Sequence, residues 1–90
     1  MFALITPVRF LRQAKKFFQK HPDLKQQFAE VVEVLVKDPF DPRLDLHRLR
    51  GKLSGLYAIS LTYSYRITLT IKISRREITL IDVGSHDEVY

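Results

Sequence analysis

The sequence predicts an α+β domain in which a two-helix hairpin packs on one face of a small, antiparallel-dominated sheet, in the order β-α-α-β-β-β. Three observations carry this. Apolar residues recur at helical spacing as far as Lys37, the period changes to two beyond Pro42, and prolines mark the breaks between segments. Ninety residues suit a single domain, 1–90, and no linker, repeat or low-complexity stretch divides them. A content of 46% hydrophobic and 11% aromatic residues is that of a folded chain, not of a disordered one.

The opening run Phe2-Ala3-Leu4-Ile5 suits a short strand. Thr6-Pro7 reads as a helix start, with the hydroxyl as N-cap and proline at the first helical position, where no N–H is needed. Val8, Leu11, Ala14 and Phe18, flanked by Phe10 and Phe17, give an amphipathic helix ending near Lys20. His21-Pro22-Asp23 breaks it and opens a second helix, whose stripe is Leu24, Phe28, Val31, Val32 and Leu35. Lys37-Asp38-Pro39 ends that helix, because a residue before proline avoids the helical region. Tyr57, Ile59, Leu61 and Tyr63 then alternate with polar or small residues, as do Tyr65, Ile67, Leu69, Ile71 and Ile73. Ser74-Arg75-Arg76-Glu77 is a hairpin turn and 77–83 a last strand. The greasy face of these strands meets the helices, and a Thr-rich face with Arg66 and Lys72 stays open for a ligand.

Fifteen Lys and Arg against ten Asp and Glu give a formal charge of +5. Residues 43–76 hold eight basic residues and one acid, a segment of +7 that leaves −2 for the rest. Such a surface suits phosphates or is an ordinary solvated one. The absence of cysteine excludes disulfides, thiolate catalysis and Cys-ligated zinc, and fits a reducing cytoplasm. No apolar run approaches the ~20 residues of a membrane span, and the start lacks the basic, long-apolar pattern of a signal peptide. The expectation is a soluble cytoplasmic domain.

The three glycines form no phosphate-binding loop, and His21, His47 and His86 lack zinc-helix spacing, so neither a cofactor nor a metal is expected. What remains is His, Arg and Tyr around a basic sheet face, the groups required for metal-free RNA cleavage. His86 follows the last strand in Gly84-Ser85-His86, where glycine permits a sharp turn. His47 stands just before the sheet in His47-Arg48-Leu49-Arg50-Gly51, as a turn residue or a catalytic one. His21, wedged before Pro22, is structural. Arg66 is either a cross-strand ion-pair partner or a bidentate phosphate clamp. Tyr90 either packs back on the helices or offers a ring to stack on a base.

In their order and spacing, His47-Arg48-Leu49-Arg50-Gly51 with Gly55-Leu56-Tyr57, Tyr65-Arg66-Ile67, and Ile81-Asp82-Val83-Gly84-Ser85-His86-Asp87-Glu88-Val89-Tyr90 resemble the RelE/ParE toxin superfamily, especially its YafQ-like and RelE-like ribonuclease branches. The resemblance covers nearly the whole chain. It implies the toxin of a type II toxin–antitoxin system: an endoribonuclease that cuts translated mRNA in the ribosomal A site, with a cognate antitoxin, the ribosome and mRNA as partners. By this resemblance His86 and His47 match catalytic histidines of YafQ-like toxins, Arg66 the sheet arginine of RelE-like ones, and Tyr90 a functional terminal aromatic. Arg48, Arg50, Lys52 and Lys72 are the expected RNA contacts. The sequence departs from the pattern at four positions. Ala58 and Ser60 replace a RelE-like lysine pair, Ser60 and Ser64 a YafQ-like His and Asp, and Asp82 a YafQ-like arginine. Two other readings therefore stand beside the first: a ParE-like toxin that poisons DNA gyrase, and a catalytically depleted toxin fold that only binds.

Overall fold

In the computed structural model, which describes residues Met1 to Val89, two helices lie on one face of a five-stranded sheet of order β1-β5-β4-β3-β2. β1 (Ala3–Ile5) pairs in parallel with β5 (Glu77–Ser85), and every other neighbour is antiparallel. α1 (Val8–Lys20) and α2 (Lys25–Lys37) are separated by a single 3₁₀ turn at Pro22–Leu24. β3 (Tyr57–Ser60) and β4 (Tyr65–Lys72) complete the expected strands. No helix among the described residues is long and apolar enough to cross a membrane.

Several details differ from the sequence expectation. Pro7, not Thr6, occupies the N-cap position of α1, and no side chain caps it. The stripe that α1 buries is Phe10, Ala14 and Phe17, leaving Val8 and Leu11 63% and 51% exposed. Both sets fit a helical period, and the rotation that buries the two phenylalanines removes more apolar area from water. Phe17 meets Tyr65 of β4 edge-on at 5.2 Å, while Phe18 and Phe10 reach Phe28 of α2 at 5.1 and 6.4 Å. Around this cluster Leu35, Ile59, Ile67, Leu69, Ile78 and Leu80 are fully buried.

A two-residue strand, β2 (His47–Arg48), adds an edge beside β3 where a turn was expected. β3 stops at Ser60, so Tyr63 leaves the strand alternation for the β3–β4 turn, where it is 98% exposed. β5 runs on to Ser85, which places Gly84 inside a strand and not at a sharp turn. Between Thr68 and Leu69 the β4–β5 register shifts: Thr68 faces Asp82 and Leu69 faces Leu80, so Ile81 is the extra residue of a bulge. A short helix, α3 (His86–Val89), follows directly and packs against β4 and β5.

α1 closes a gap in the sheet. β1 covers β5 only as far as Thr79. Beyond it the Gln13 side chain takes the place of a strand: its amide nitrogen donates to the Val83 carbonyl at 2.7 Å and its oxygen accepts from the Val83 N–H at 3.0 Å. One side chain thus satisfies both backbone groups of a residue whose outer partners would otherwise be missing.

Ahead of β2, Asp41 caps the 3₁₀ turn Pro42–Leu44. Its carboxylate accepts from the Arg43 guanidinium at 2.8 and 3.1 Å and from the Arg43 backbone N–H at 2.9 Å. These bonds, the side-chain pair foremost, lower its pKa from 3.8 to about 2. A depressed carboxyl pKa favours the folded state above the ordinary value, and the benefit is lost as pH falls through the depressed one. In Arg43→Ala the Asp41 carboxyl should titrate well above 2 but still below 3.8, because the residue-43 backbone N–H continues to donate to it, as followed by carboxyl-carbon NMR; a value still near 2 would contradict the guanidinium as the main cause.

Candidate functional site

Residues directly opposite across a sheet share a face, so the register assigns the outer face, away from α1 and α2. One row across four strands reads His47, Ala58, Thr68, Asp82. The next reads Ser60, Arg66, Gly84. The parity change at Ile81 is what brings Asp82 and Gly84 to this face, since Ile78 and Leu80 before it and Val83 after it all lie in the core.

Arg66 is held in place by its own turn. Its Nη1 donates to the carbonyl of Thr62 at 3.1 Å and to that of Tyr63 at 3.3 Å. The Thr62 hydroxyl oxygen in turn accepts from the backbone N–H groups of Ser64 and Tyr65, both at 3.2 Å, which fixes the turn. The half-buried guanidinium is thereby oriented without an acidic partner among these bonds.

His47 is exposed at the β2 edge, with Nδ1 3.0 Å from the Asp45 carbonyl oxygen. A carbonyl can only accept, so Nδ1 is the donor in this bond. His86 is exposed at the first position of α3, two residues past Gly84 on the other side of Arg66. β2 and β5 lie three strand intervals apart, roughly 14 Å at ordinary strand spacing. His47 and His86 are thus delivered by strands on either side of β4, which carries Arg66. His21 is structural as expected, its ring 4.7 Å from Phe17 and 4.8 Å from Tyr65. Tyr90 lies outside the described residues.

The expected RNA contacts are scattered. Arg48 is the partner of Tyr57, so it belongs to the helix side, with its guanidinium 5.7 Å from the Tyr57 ring centre. Arg50 and Lys52 are exposed in the loop between β2 and β3, which Gly51 and Gly55 carry at φ 68° and 96°. Lys72 faces Glu77 at the far end of β4, about 20 Å along the strand from Arg66. Tyr63, which the alternation assigned to a strand, is the site residue that the sequence did not single out. Its carbonyl holds Arg66 and its ring stands in solvent. The polar flank Thr62-Tyr63-Ser64 was the available signal, since serine and threonine favour turns.

The middle of the outer face is not the open polar surface that the Thr-rich pattern suggests. Ala58 and Thr68 are completely covered, and Val89 of α3 and Leu49 are also buried outside the main core cluster. Asp82 is mostly covered and pairs with Arg9 of α1 at 3.3 Å. Among the described residues, no group of three or more His, Asp or Glu is placed to hold a metal ion.

This architecture is shared with known toxins. Over its whole length the chain is similar to a metal-bound toxin from Helicobacter pylori, at 25% identity and a TM-score of 0.82 with both chains fully covered. YafQ from E. coli strain BL21(DE3) matches with a TM-score of 0.81 at 11% identity, over 100% of this chain and 99% of YafQ. The YoeB–YefM complex from Staphylococcus aureus contains a chain matching at 14% identity and a TM-score of 0.73, over 96% of this chain and 98% of that one. No protein-family model and no curated protein matches the sequence. The fold is that of RelE-like toxins, with YafQ and YoeB among its structural relatives.

The Thr68 hydroxyl is buried without a hydrogen-bond partner among the described residues. Such a group costs free energy, so Thr68→Val should leave stability in urea unchanged or raise it by about 1 kcal/mol. A loss of more than about 1 kcal/mol would show that the hydroxyl is bonded.

Proposed function

We propose that this protein is the toxin of a toxin–antitoxin pair and cleaves translated mRNA on the ribosome, with the outer sheet face around Arg66 as the site of the chemistry. The observation that carries this reading is the Arg66 anchor. Two backbone carbonyls fix the guanidinium on the outer face, with His47 on one side and His86 on the other. A guanidinium matches a phosphate in bidentate fashion and stabilises the negative charge of a phosphorane. His47 Nε2 is the base that takes the 2′-OH proton, and O2′ then attacks phosphorus. His86 protonates the departing 5′ oxygen, leaving a 2′,3′-cyclic phosphate and a 5′-OH. Tyr63, and Tyr90 by the family resemblance, supply rings on which a base can stack. The fold shared with the YoeB of a YoeB–YefM complex supports a protein antitoxin as partner.

One observation favours a second reading, a toxin fold that binds without cutting. Ala58 is fully buried in the row where RelE-like toxins carry a lysine, and Asp82 is engaged by Arg9. The catalytic groups then reduce to two histidines and one arginine.

Mapping mRNA 5′ ends in a cell-free translation reaction tests the two together. The first reading expects in-frame cuts that require ribosomes, with cleavage reduced about 100-fold or more in His86→Ala and in Arg66→Ala. Intact mRNA at saturating protein would overturn it. A supercoiling assay would then separate a silent binder from a gyrase poison.

A further inference from the structure

We propose that one face of α1 is a track for the backbone of single-stranded RNA, continuous with the outer-face site. The proposal rests on the RNA reading above and names a binding surface outside that site. α1 carries Arg9, Arg12, Lys15, Lys16 and Lys20 and no acidic residue, a local charge of +5 that a division into sequence halves conceals. Arg9, Arg12, Lys16 and Lys20 are spaced i, i+3, i+7 and i+11, which sets them along one side of the helix over about 16 Å. All four are exposed. Grooves lined by Arg9, Arg12 and Lys16, and by Lys16, Lys20 and His21, adjoin this side, and Gln13 borders both.

Two contacts tie the stripe to the site. Gln13 docks α1 onto the otherwise unpaired edge of β5 at Val83, and Arg9 reaches the next residue, Asp82, in the row that begins at His47. A strand of phosphates lying over Arg66 and running off the β5 edge meets Arg9 first and the remaining three cations in turn. An Asp82 carboxylate would repel a phosphate on this face, and the Arg9 guanidinium beside it offsets that charge.

The stripe is costly to the helix that bears it. Arg9 lies in the first turn, at the positive end of the helix dipole, and no side chain caps that end. Arg12–Lys16 and Lys16–Lys20 are like-charge neighbours at i, i+4. Arg9 is relieved by Asp82, but among the described residues Arg12, Lys16 and Lys20 have no acidic partner, and a helix that keeps such a run is arranged for an anion outside the chain. RNA is favoured over an acidic protein because the stripe consists of cations alone. Of the exposed apolar residues a peptide would use, Leu11 lies on a different side of the helix, and Val8 alone borders the groove of Arg9, Arg12 and Lys16.

The test measures binding of an end-labelled 20-nucleotide single-stranded RNA by the full chain across a salt series. Each phosphate contact contributes about 0.7 to the slope of log K against log salt. The triple substitution Arg12→Gln, Lys16→Gln, Lys20→Gln should flatten the slope by about 2 and weaken binding about 100-fold at 0.1 M salt. Because it removes like-charge neighbours, it should also raise the melting temperature, so lost binding is not lost folding. Arg75→Gln, in the turn between β4 and β5 at the far end of the sheet, should have little effect. An unchanged slope, or no RNA binding by the wild type at low salt, overturns the proposal. So does weakened binding of a polyglutamate peptide with RNA binding intact, which would assign the stripe to an acidic protein. Cleavage is read separately: uncut mRNA with the expected slopes would overturn the nuclease reading and leave the track standing.

Discussion

The bulge at Ile81 is the constraint on which the rest of the molecule depends. A strand puts alternate residues on opposite faces, so a single inserted residue exchanges the faces for everything that follows. Without it, Asp82 and Gly84 would continue the core parity of Ile78 and Leu80, and Val83 would point outward. With it, one strand feeds the core on both sides of the insertion and still delivers Asp82, Gly84 and the start of α3 to the face that carries Arg66 and His47. The insertion falls near the point where β1 ends, so beyond it β5 is bordered by β4 on one side and, at Val83, by the Gln13 side chain on the other.

The apolar core and the candidate site thereby fall on opposite faces of the sheet. The helix side is a continuous apolar core built on the Phe10, Phe17, Phe18 and Phe28 rings and the Ile and Leu residues of three strands. The outer side carries what such a core would not tolerate: a guanidinium bonded to two carbonyls, a Thr68 hydroxyl with no hydrogen-bond partner among the described residues, and an ion pair drawn around the sheet edge. A buried hydroxyl without a partner and a cation in the first turn of a helix are both local violations of folding economy, and such violations concentrate where a surface has another task.

Much of this was legible in the sequence. The change of period from 3.6 to 2 and the prolines gave the two helices and the three longer strands, because burial of one face is encoded in spacing. Histidine 21 was readable as structural from its place before Pro22. Three features were not readable, each for a physical reason. Two overlapping stripes on α1 fit the helical period, and only packing decides that Phe10 and Phe17 go inside. A two-residue strand such as β2 exists by pairing and has no pattern of its own. The bulge shows in the sequence only as the adjacent pair Leu80-Ile81, which reads equally well as part of an apolar run without a bulge. Of the candidate site, Arg66 follows from strand parity, whereas the separation of Arg48 from His47 onto opposite faces requires knowing that both are in a strand.

The central claim is that RNA is engaged on the outer face at Arg66. The most direct test is NMR of arginine side-chain Nε–H and histidine ring signals during titration with a short RNA methylated at every 2′-oxygen, which binds but cannot be cleaved. The account predicts that Arg66, His47 and His86 shift together while Arg48, stacked on Tyr57 on the helix side, stays in place. Shifts at Arg48 with Arg66 unmoved would contradict it and place the ligand on the wrong face of the sheet.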